Sequence, residues 1–282
     1  TVKNISSYLV DESSTGETHT LKIRNGQVFT GSAVYGDGFM ISELEAEQLL
    51  SNFKNNSDVV RKYITGKTFT SEPYPNYSGW IIYFGEKSED ESRLYNATWQ
   101  IIEERVKPFR MNARPGPLRT YYWQYERPRI ELYKSISTLA RVLVNARVAK
   151  YIAFDFLPSD YVFLNTLQVF PFEDYSHFCV LQSDFHASWA SHRSSSVGIT
   201  AQYTPSDCFL TFPFPLSIEV GKDNALELIG EKYYLQRTDL LSKNRLSLTD
   251  IYNRFHNPKE SAEDIVRLRE FHVEMDNAVA GA

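Results

Sequence analysis

The apolar pattern of this chain of 282 residues changes character near residue 220. Before that point, short apolar runs of the strand type alternate with stretches of helical spacing, and glycine and proline separate them. From about Leu226 onward, the apolar residues recur mainly at helical spacing. The pattern predicts an α+β fold, with a mixed sheet-and-helix domain over residues 1–222 and a C-terminal helical segment over residues 223–282.

Local signals place several elements within this frame. Ser42 and Glu45 have the Ser-x-x-Glu spacing of a capping box, which predicts the start of a helix. The apolar run 80–84 predicts a strand, and a second helix is predicted from Ser88 to Pro108, because proline disfavours a helix interior. Further strands are expected at 147–155, 161–169 and 178–181, a helix at 183–190, and an extended or turn-rich link at 59–69.

Residues 105–150 concentrate the positive charge of an acidic molecule. They contain eleven Lys or Arg and two Glu, whereas the whole chain has a net charge of −5. The same segment is rich in aromatic residues, among them Tyr121, Tyr122 and Trp123. Guanidinium groups make paired contacts with phosphate or guanine, and aromatic rings stack on bases. The segment is therefore typical of a polyanion-binding surface, although a solvated helix face with ion pairs would have the same composition.

Length and composition narrow the class of protein. The hydrophobic fraction of 42% is sufficient for a packed core. No apolar run reaches the roughly 18 residues that span a bilayer, and the first residues have no apolar signal-peptide core. Two cysteines, Cys179 and Cys208, favour a reduced compartment over a disulfide framework. The sequence thus predicts a cytoplasmic protein without a membrane segment.

The usual catalytic motifs are missing. Residues 65–68 are similar to the end of a P-loop, but Arg61 stands where its first glycine belongs. The single Gly-x-Gly, at 36–38, lacks the third glycine of a dinucleotide fingerprint and is interpreted as a turn. No Pro-Pro, Glu-x-Lys, Asp-x-Lys or Cys-x-x-Cys occurs. His186 and His192 are poorly spaced for a metal, and a buried structural cysteine is favoured over a nucleophilic pair of Cys208 with His186. No catalytic residue and no metal site is predicted.

A series of segments, weak one by one, is specific in its order and spacing. The segments are 60–67 (VRKYITGK), 80–85 (WIIYFG), 106–110 (VKPFR), 122–123 (YW) with 127–128 (RP), 181–190 (LQSDFHASWA), 203–215 (YTPSDCFLTFPFP), 248–253 (LTDIYN) and 268–272 (LREFH). Together they span nearly the whole chain. The chain resembles the target-recognition region of type IIG/type IIL restriction–modification enzymes and related adenine-specific DNA methyltransferases.

The resemblance implies a division of labour. In that family a separate, preceding domain transfers a methyl group from S-adenosylmethionine to adenine, so the missing motifs are expected and no cofactor is predicted in this segment. The implied partners are double-stranded DNA and the methyltransferase domain of the same polypeptide. The target adenine would be flipped into that domain. Whether the parent also cleaves DNA is left open, and the chain is expected to be a piece of a longer enzyme.

The resemblance also nominates site residues. Basic side chains are expected to contact the DNA backbone or bases, at Lys107, Arg110, Arg119, Arg127 and Arg129. Base recognition is expected in a polar loop over residues 191–202, at Arg193, Ser195, Gly198, Thr200 and Gln202. Two family base-reading positions fall on Gly198 and Thr200, and Gly198 departs from the family pattern because it has no side chain. Trp80, Trp189 and Phe212 are interpreted as core residues, and His186 as a structural histidine.

Two other classes of function remain open at this point. The aromatic surface would also suit a protein-interaction module that docks a partner. A stand-alone nucleic-acid-processing enzyme with an unrecognised site is the third hypothesis, although the chain has no carboxylate-lysine or zinc signature. The net acidity does not oppose DNA binding, because affinity follows the local positive patch.

Overall fold

The computed structural model describes residues 19–52, 54–74, 76–197, 200–221 and 223–282. The strands are β1 (Phe29–Thr30), β2 (Met40–Ile41), β3 (Val60–Ile64), β4 (Gly79–Ile82), β5 (Arg141–Ala146), β6 (Val148–Ala149), β7 (Phe154–Pro158), β8 (Val162–Phe163), β9 (Leu167–Phe170), β10 (Ser195–Val197) and β11 (Thr200–Gln202). The helices are α1 (Glu43–Asn52), α2 (Gly66–Ser71), α3 (Glu89–Arg93), α4 (Asn96–Ile101), α5 (Lys107–Met111), α6 (Pro117–Thr120), α7 (Ile130–Ile136), α8 (Tyr175–Gln182), α9 (Asp184–Arg193), α10 (Pro205–Cys208), α11 (Leu216–Glu219), α12 (Asn224–Asn244), α13 (Leu248–Phe255) and α14 (Glu263–Gly281). The mixture confirms the predicted α+β class.

The first hydrophobic core lies against a sheet with the strand order β2-β4-β3-β8. The two neighbours of β3 differ in direction, since β4 is antiparallel and β8 is parallel to it. Helix α1 begins where predicted, because Ser42 and Glu45 satisfy each other's backbone N–H groups. The predicted strand 80–84 is confirmed by β4. The expected link at 59–69 was wrong, because these residues form β3 and then α2, which is capped by Thr65.

The second core lies between a sheet of order β1-β9-β5-β7 and the helices α8, α12, α13 and α14. Strand β5 is antiparallel to both of its neighbours and is buried from Val142 to Ala146. The strand predicted at 147–155 is divided between β6 (Val148–Ala149) and the beginning of β7 (Phe154–Pro158), with residues 150–153 outside any strand. The strand predicted at 161–169 is split into β8 and β9 by an exposed turn at 165–166.

Residues 178–181 are helical, so the prediction of a strand there was wrong. Asp174 caps α8 by accepting the backbone N–H of His177, and the apolar run continues this helix rather than crossing a sheet. Every residue from Phe178 to Gln182 is buried. Such a run has no polar face from which a period can be read, which is why the pattern did not distinguish helix from strand. The helix predicted at 183–190 is confirmed by α9, with Ser183 as its N-cap.

The helix predicted from Ser88 does not stop at Pro108. Ser88 and Glu91 form a capping box on α3, and the helical path then continues through α4 and α5. Between α4 and α5 lies one π-helical turn, Ile102–Val106. Pro108 is the second residue of α5 and directly follows this turn and Lys107. The widened turn therefore lets the helical path pass a proline.

The helical segment after residue 222 is confirmed, and it packs into the second core. Leu226, Tyr233, Leu241 and other apolar residues of α12, α13 and α14 share one buried cluster with strands β5, β7 and β9. The guanidinium of Arg237 on α12 lies 3.2 Å from the carboxylate of Asp155 on β7, and both side chains are buried. No helix of the described residues is long and apolar enough to cross a membrane.

Candidate nucleic-acid interface

Several cations of the basic segment form ion pairs with carboxylates of the same chain. Lys107 lies 2.6 Å from a carboxylate oxygen of Glu103, and its ammonium group lies 5.0 Å from the centre of the Tyr122 ring. Lys134 pairs with Glu86 at 3.1 Å. Arg105 pairs with Glu45, and this hydrogen bond, together with the backbone N–H of Ser42, lowers the pKa of Glu45 to about 2. These cations are already balanced by carboxylates.

Arg110 is fully buried, which contradicts its expected contact with DNA. Its guanidinium donates to the backbone carbonyls of Val34 at 2.7 Å, Tyr35 at 3.1 Å and Gln124 at 3.0 Å. Burial lowers the pKa of Arg110. The side chain joins α5 to two other chain segments and does not reach the surface. Sequence alone could not separate it from exposed arginines, because its acceptors are carbonyls remote in the chain.

Other basic residues of the segment gather around the turn 164–166, in which residues 165 and 166 are exposed. The backbone N–H of Arg147 donates to Thr166, and that of Asn165 donates to Ser32. Next to Ser32, Ala33 forms a two-way backbone bridge with Arg127. Arg127 and Arg147, 20 residues apart in sequence, thus flank one exposed turn. Both side chains are exposed, and neither has a carboxylate at ion-pair distance among the described residues.

Lys67 joins the same turn from the first core. The backbone N–H of Gly66, at the start of α2, donates to the side-chain hydroxyl of Thr166 at 2.8 Å. The adjacent Lys67 is exposed. A Cβ at Gly66 would lie 2.8 Å from the carbonyl oxygen of Thr166, so only glycine permits this approach. We call Lys67, Arg127, Arg147 and the turn 164–166 the cationic face. Lys67 lies outside the basic segment, and no sequence signal singled it out.

The predicted Arg129 and Arg119 lie at the margins of this region. Arg127 and Arg129 line one small cavity of about 360 Å³ beside strand β1. Arg129 has a left-handed backbone, with φ of 55°, at the N-cap of α7. Arg119 lies on α6, is partly exposed, and has no carboxylate at ion-pair distance in the described part of the chain. The structure keeps both as candidates for contact with a polyanion.

The predicted base-reading loop is mostly a β-hairpin. Strand β10 pairs antiparallel with β11, so that Ser195 lies opposite Gln202 and Val197 opposite Thr200. Strand β11 then pairs with β6, which places Gln202 opposite Val148, next to Arg147. The expected polar loop over 191–202 therefore consists of the end of α9 followed by the paired strands β10 and β11. Gly198, one of the expected base-reading positions, lies outside the described residues.

The remaining predicted residue, Arg193, ends helix α9 immediately before the hairpin. Its guanidinium lies 5.1 Å from the centre of the Trp189 ring. On the far side of the hairpin, Lys150 follows β6 and donates to the side-chain oxygen of Asn253 at 2.6 Å. The partly buried Arg193 and the exposed Lys150 therefore flank the short sheet formed by β6, β11 and β10. Lys150, like Arg147, belongs to the basic segment but was not selected from the sequence.

A buried hydrogen bond anchors the hairpin. Tyr203, the residue after β11, lies with its hydroxyl 3.1 Å from Nε2 of His186, and Nδ1 of the same ring lies 2.9 Å from the carbonyl oxygen of Leu181. The carbonyl requires a proton on Nδ1, so Nε2 accepts from Tyr203. Burial lowers the pKa of His186 to about 4 and raises that of Tyr203. The interpretation of His186 as a structural residue agrees with these contacts.

Two groups of residues could in principle support catalysis or metal binding, namely Cys208 with His186 and a cluster of three possible metal ligands. Cys208 is buried, its Sγ lies 3.7 Å from the carbonyl oxygen of Ala190, and burial raises its pKa to about 11. His186, with both ring nitrogens occupied, does not act as its base. Elsewhere Asp184, His272 and Asp276 bring three possible ligand atoms within 4.8 Å of one another, where they join α9 to α14. The arrangement on the cationic face can hold an anion, but it offers no nucleophile paired with a base.

An α+β domain with exposed cations around an anchored hairpin has the features of a nucleic-acid-binding domain. The family comparison gives this class a name. Residues 7–216 match the family model described as MmeI, target recognition domain, and the chain therefore belongs to that family.

One solved structure and the curated proteins complete the comparison. The structure of the type IIL restriction–modification enzyme MmeI in complex with DNA superposes with a TM-score of 0.73 at 18% sequence identity. The superposition covers 99% of this chain but 36% of MmeI, so this chain spans about a third of that enzyme. At this identity the likeness concerns the fold. No curated protein sequence matches the chain.

Proposed function

We propose that this chain is the sequence-specific double-stranded DNA recognition module of a methyltransferase-type (type II) restriction–modification enzyme. The observation that carries the proposal is the junction of the cationic face with the hairpin, where Arg147 is bonded to the turn 164–166 on one side and to Tyr203 on the other. Phosphate contacts fix the register of a protein on DNA, while side chains near base edges supply specificity. The residues that we assign to these two functions are neighbours in this structure.

The roles divide along that junction. Lys67, Arg127 and Arg147 would contact phosphates, because they are exposed and have no carboxylate at ion-pair distance in the described residues. Arg119 and Arg129 would extend the contact, whereas Lys107 would contribute less because Glu103 balances it. The hairpin would enter the major groove, with Gln202, Thr200, Ser195 and Arg193 as base-reading candidates. Gly198, which lies outside the described residues, stays a candidate position.

The catalytic step would take place in another domain of the parent enzyme. Methyl transfer from S-adenosylmethionine to adenine would take place in a methyltransferase domain of the same polypeptide, and this chain would supply DNA position and sequence choice. MmeI is a type IIL restriction–modification enzyme with a chain nearly three times as long, which leaves room for such a domain. Both cysteines are free and buried, which suits a reduced cytoplasmic compartment.

A selection from randomised duplexes with the intact parent protein tests the proposal. We expect one enriched sequence, and we expect the same sequence to contain the adenine methylated in the source genome. Affinity should fall steeply between low and moderate salt, because phosphate contacts release counterions. Binding of a protein partner with little salt dependence, and no enriched duplex, would instead support the protein-interaction hypothesis.

A further inference from the structure

Two aromatic rings project from the surface close to the cationic face. Phe109 on α5 is 51% exposed and Tyr35 is 48% exposed, yet their ring centres lie only 5.7 Å apart. Tyr35 is two residues from Ala33, whose backbone is bridged to Arg127. The aromatic pair therefore continues the surface that begins at the turn 164–166. Two neighbouring rings with about half of their area exposed leave apolar surface in water, which is unfavourable unless a ligand covers it.

The backbone that carries Tyr35 has an uncommon conformation at two consecutive residues. Tyr35 has a left-handed conformation with φ of 49°, which is uncommon for an aromatic residue, and Gly36 follows with φ of 94°. A Cβ at Gly36 would lie 2.8 Å from the ring of Phe109, so glycine lets the ring lie flat against the turn. Strained conformations of this kind persist where the surrounding structure holds them, and they cluster at functional sites.

Arg110 is the residue that holds the strained turn. Its guanidinium binds the carbonyl oxygens of Val34 and Tyr35 at 2.7 and 3.1 Å, and it binds Gln124 on the other side. Arg110 is buried and directly follows Phe109 in sequence. Phe109 therefore exposes its ring, while Arg110 fixes the turn that carries Tyr35, the other ring of the pair. These hydrogen bonds hold the two peptide carbonyls on either side of the Tyr35 Cα.

The surroundings indicate the chemistry of the ligand. Arg114 in the turn after α5 is exposed, and Arg119 lies on the next helix. Neither of them, nor Arg127, has a carboxylate at ion-pair distance in the described parts of the chain. Planar rings among unbalanced guanidinium groups match a polyanion whose apolar parts are flat, which describes nucleotides.

We infer that the Tyr35–Phe109 pair contacts the bases or sugars of the bound duplex, with Arg110 as its positioning residue. This inference rests on the proposed function and assigns a second, non-electrostatic contact to the same DNA surface. Aromatic contact with a nucleotide contributes apolar and stacking energy without releasing counterions. Its loss should lower affinity at every salt concentration while the salt dependence stays the same.

The test measures binding of the selected duplex by fluorescence anisotropy across a salt series, with the intact protein. Phe109→Ala and Tyr35→Ala should each weaken binding by roughly tenfold to a hundredfold, with an unchanged slope of log affinity against log salt. Arg119→Ala should instead reduce that slope by about 1. Phe185→Ala is the matched control, since Phe185 is an aromatic residue of similar exposure, 49%, in the first turn of α9.

Arg110 needs a readout that general destabilisation does not move. Arg110→Lys should weaken binding in the wild-type background but not further in the Phe109→Ala background, because its effect passes through the ring pair. If Arg110→Lys does not fold, Gly36→Ala serves the same purpose by displacing the Phe109 ring. Circular dichroism of each variant verifies the fold at the temperature of the assay.

The outcomes separate the inference from the proposed function. If the wild-type protein selects no duplex, the proposed function fails and the inference fails with it. If the wild type binds its duplex, and Phe109→Ala and Tyr35→Ala bind it as tightly as Phe185→Ala does, the inference alone is wrong. A reduced salt slope in the two aromatic variants would also overturn it, because the rings would then act only by ordering nearby arginines.

Discussion

The hydroxyl of Tyr203 donates to Nε2 of His186 across 3.1 Å inside the second core. Tyr203 follows the last strand of the hairpin, and His186 lies on α9, which leads into the first strand. The bond therefore connects the two ends of one excursion of the chain, residues 194–202. A hairpin held at its base in this way can carry base-reading side chains in a defined position.

Removal of this bond should loosen the hairpin. We expect Tyr203→Phe to lower the free energy of unfolding by about 1–2 kcal/mol, because Nε2 of the buried His186 then lacks its donor. Urea denaturation followed by fluorescence measures the change. Tyr151→Phe is the control, since the Tyr151 hydroxyl bonds Asn253 at an exposed site. Equal losses in both variants would contradict the anchoring role.

His186 should make stability depend on pH. Its pKa is about 4 in the folded protein, against 6.5 for an ordinary histidine. Between these two pH values His186 is therefore protonated in the unfolded chain and neutral in the folded protein. Stability is therefore complete above pH 6.5 and declines as pH falls toward 4, by about 2–3 kcal/mol in total. Unfolding curves between pH 7 and 5 should show this decline in the wild type and in His192→Asn, but a weaker one in His186→Asn. A parallel decline in all three would exclude His186 as its source.

Substitution of a cation on the cationic face should change DNA affinity and its salt dependence more than substitution of a cation that is paired with a carboxylate. Arg127→Ala and Arg147→Ala should each weaken binding to all duplexes about equally and reduce the salt slope by about 1, since each removes one phosphate contact. Lys107→Ala should change the slope less, because Glu103 lies 2.6 Å from the ammonium group. Binding isotherms at several salt concentrations measure the three slopes. A larger effect for Lys107 than for Arg127 would contradict the assigned cationic face.

Hairpin residues should change sequence choice rather than general affinity. We expect Gln202→Ala to reduce discrimination at one base pair by roughly 1–3 kcal/mol while binding to unrelated duplexes is retained. Thr200→Ala should act at a different base pair. Competition between the selected duplex and its single-substitution variants measures the preference. Ser206→Ala, at an exposed residue beyond the hairpin, should leave every preference unchanged.

The helical segment should be required for folding of the recognition domain. A chain ended after residue 222 loses the apolar residues that α12, α13 and α14 place in the second core, and it leaves the buried Asp155 without Arg237. An unpaired buried charge and an exposed core each cost several kcal/mol. We expect no cooperative unfolding transition in this fragment. A sharp urea transition close to that of the intact protein would show instead that residues 1–222 fold as an independent domain.

Some of the fold follows from short-range chemistry and was predicted on that basis. Ser42, Ser88 and Ser183 begin helices because each side chain satisfies a backbone N–H within three residues. These helix starts can therefore be predicted from neighbouring residues alone. The apolar spacing after residue 222 similarly predicts helices, because one face of each helix must be buried. The prediction of a strand at 178–181 was wrong because all of these residues are buried. Their apolar run therefore shows neither the spacing typical of a helix nor the alternation typical of a strand.

The site required the tertiary structure. Arg110 and Arg127 are both arginines within one basic segment, and nothing adjacent to them distinguishes their roles. Arg110 is buried because carbonyls 75 and 76 residues earlier in the chain converge on it, whereas Arg127 is exposed beside a turn formed by residues 164–166. Local sequence sets the class of most elements and the total charge available. Contacts within the fold decide which cations face solvent without a partner, because carboxylates and backbone carbonyls engage the others before any ligand arrives.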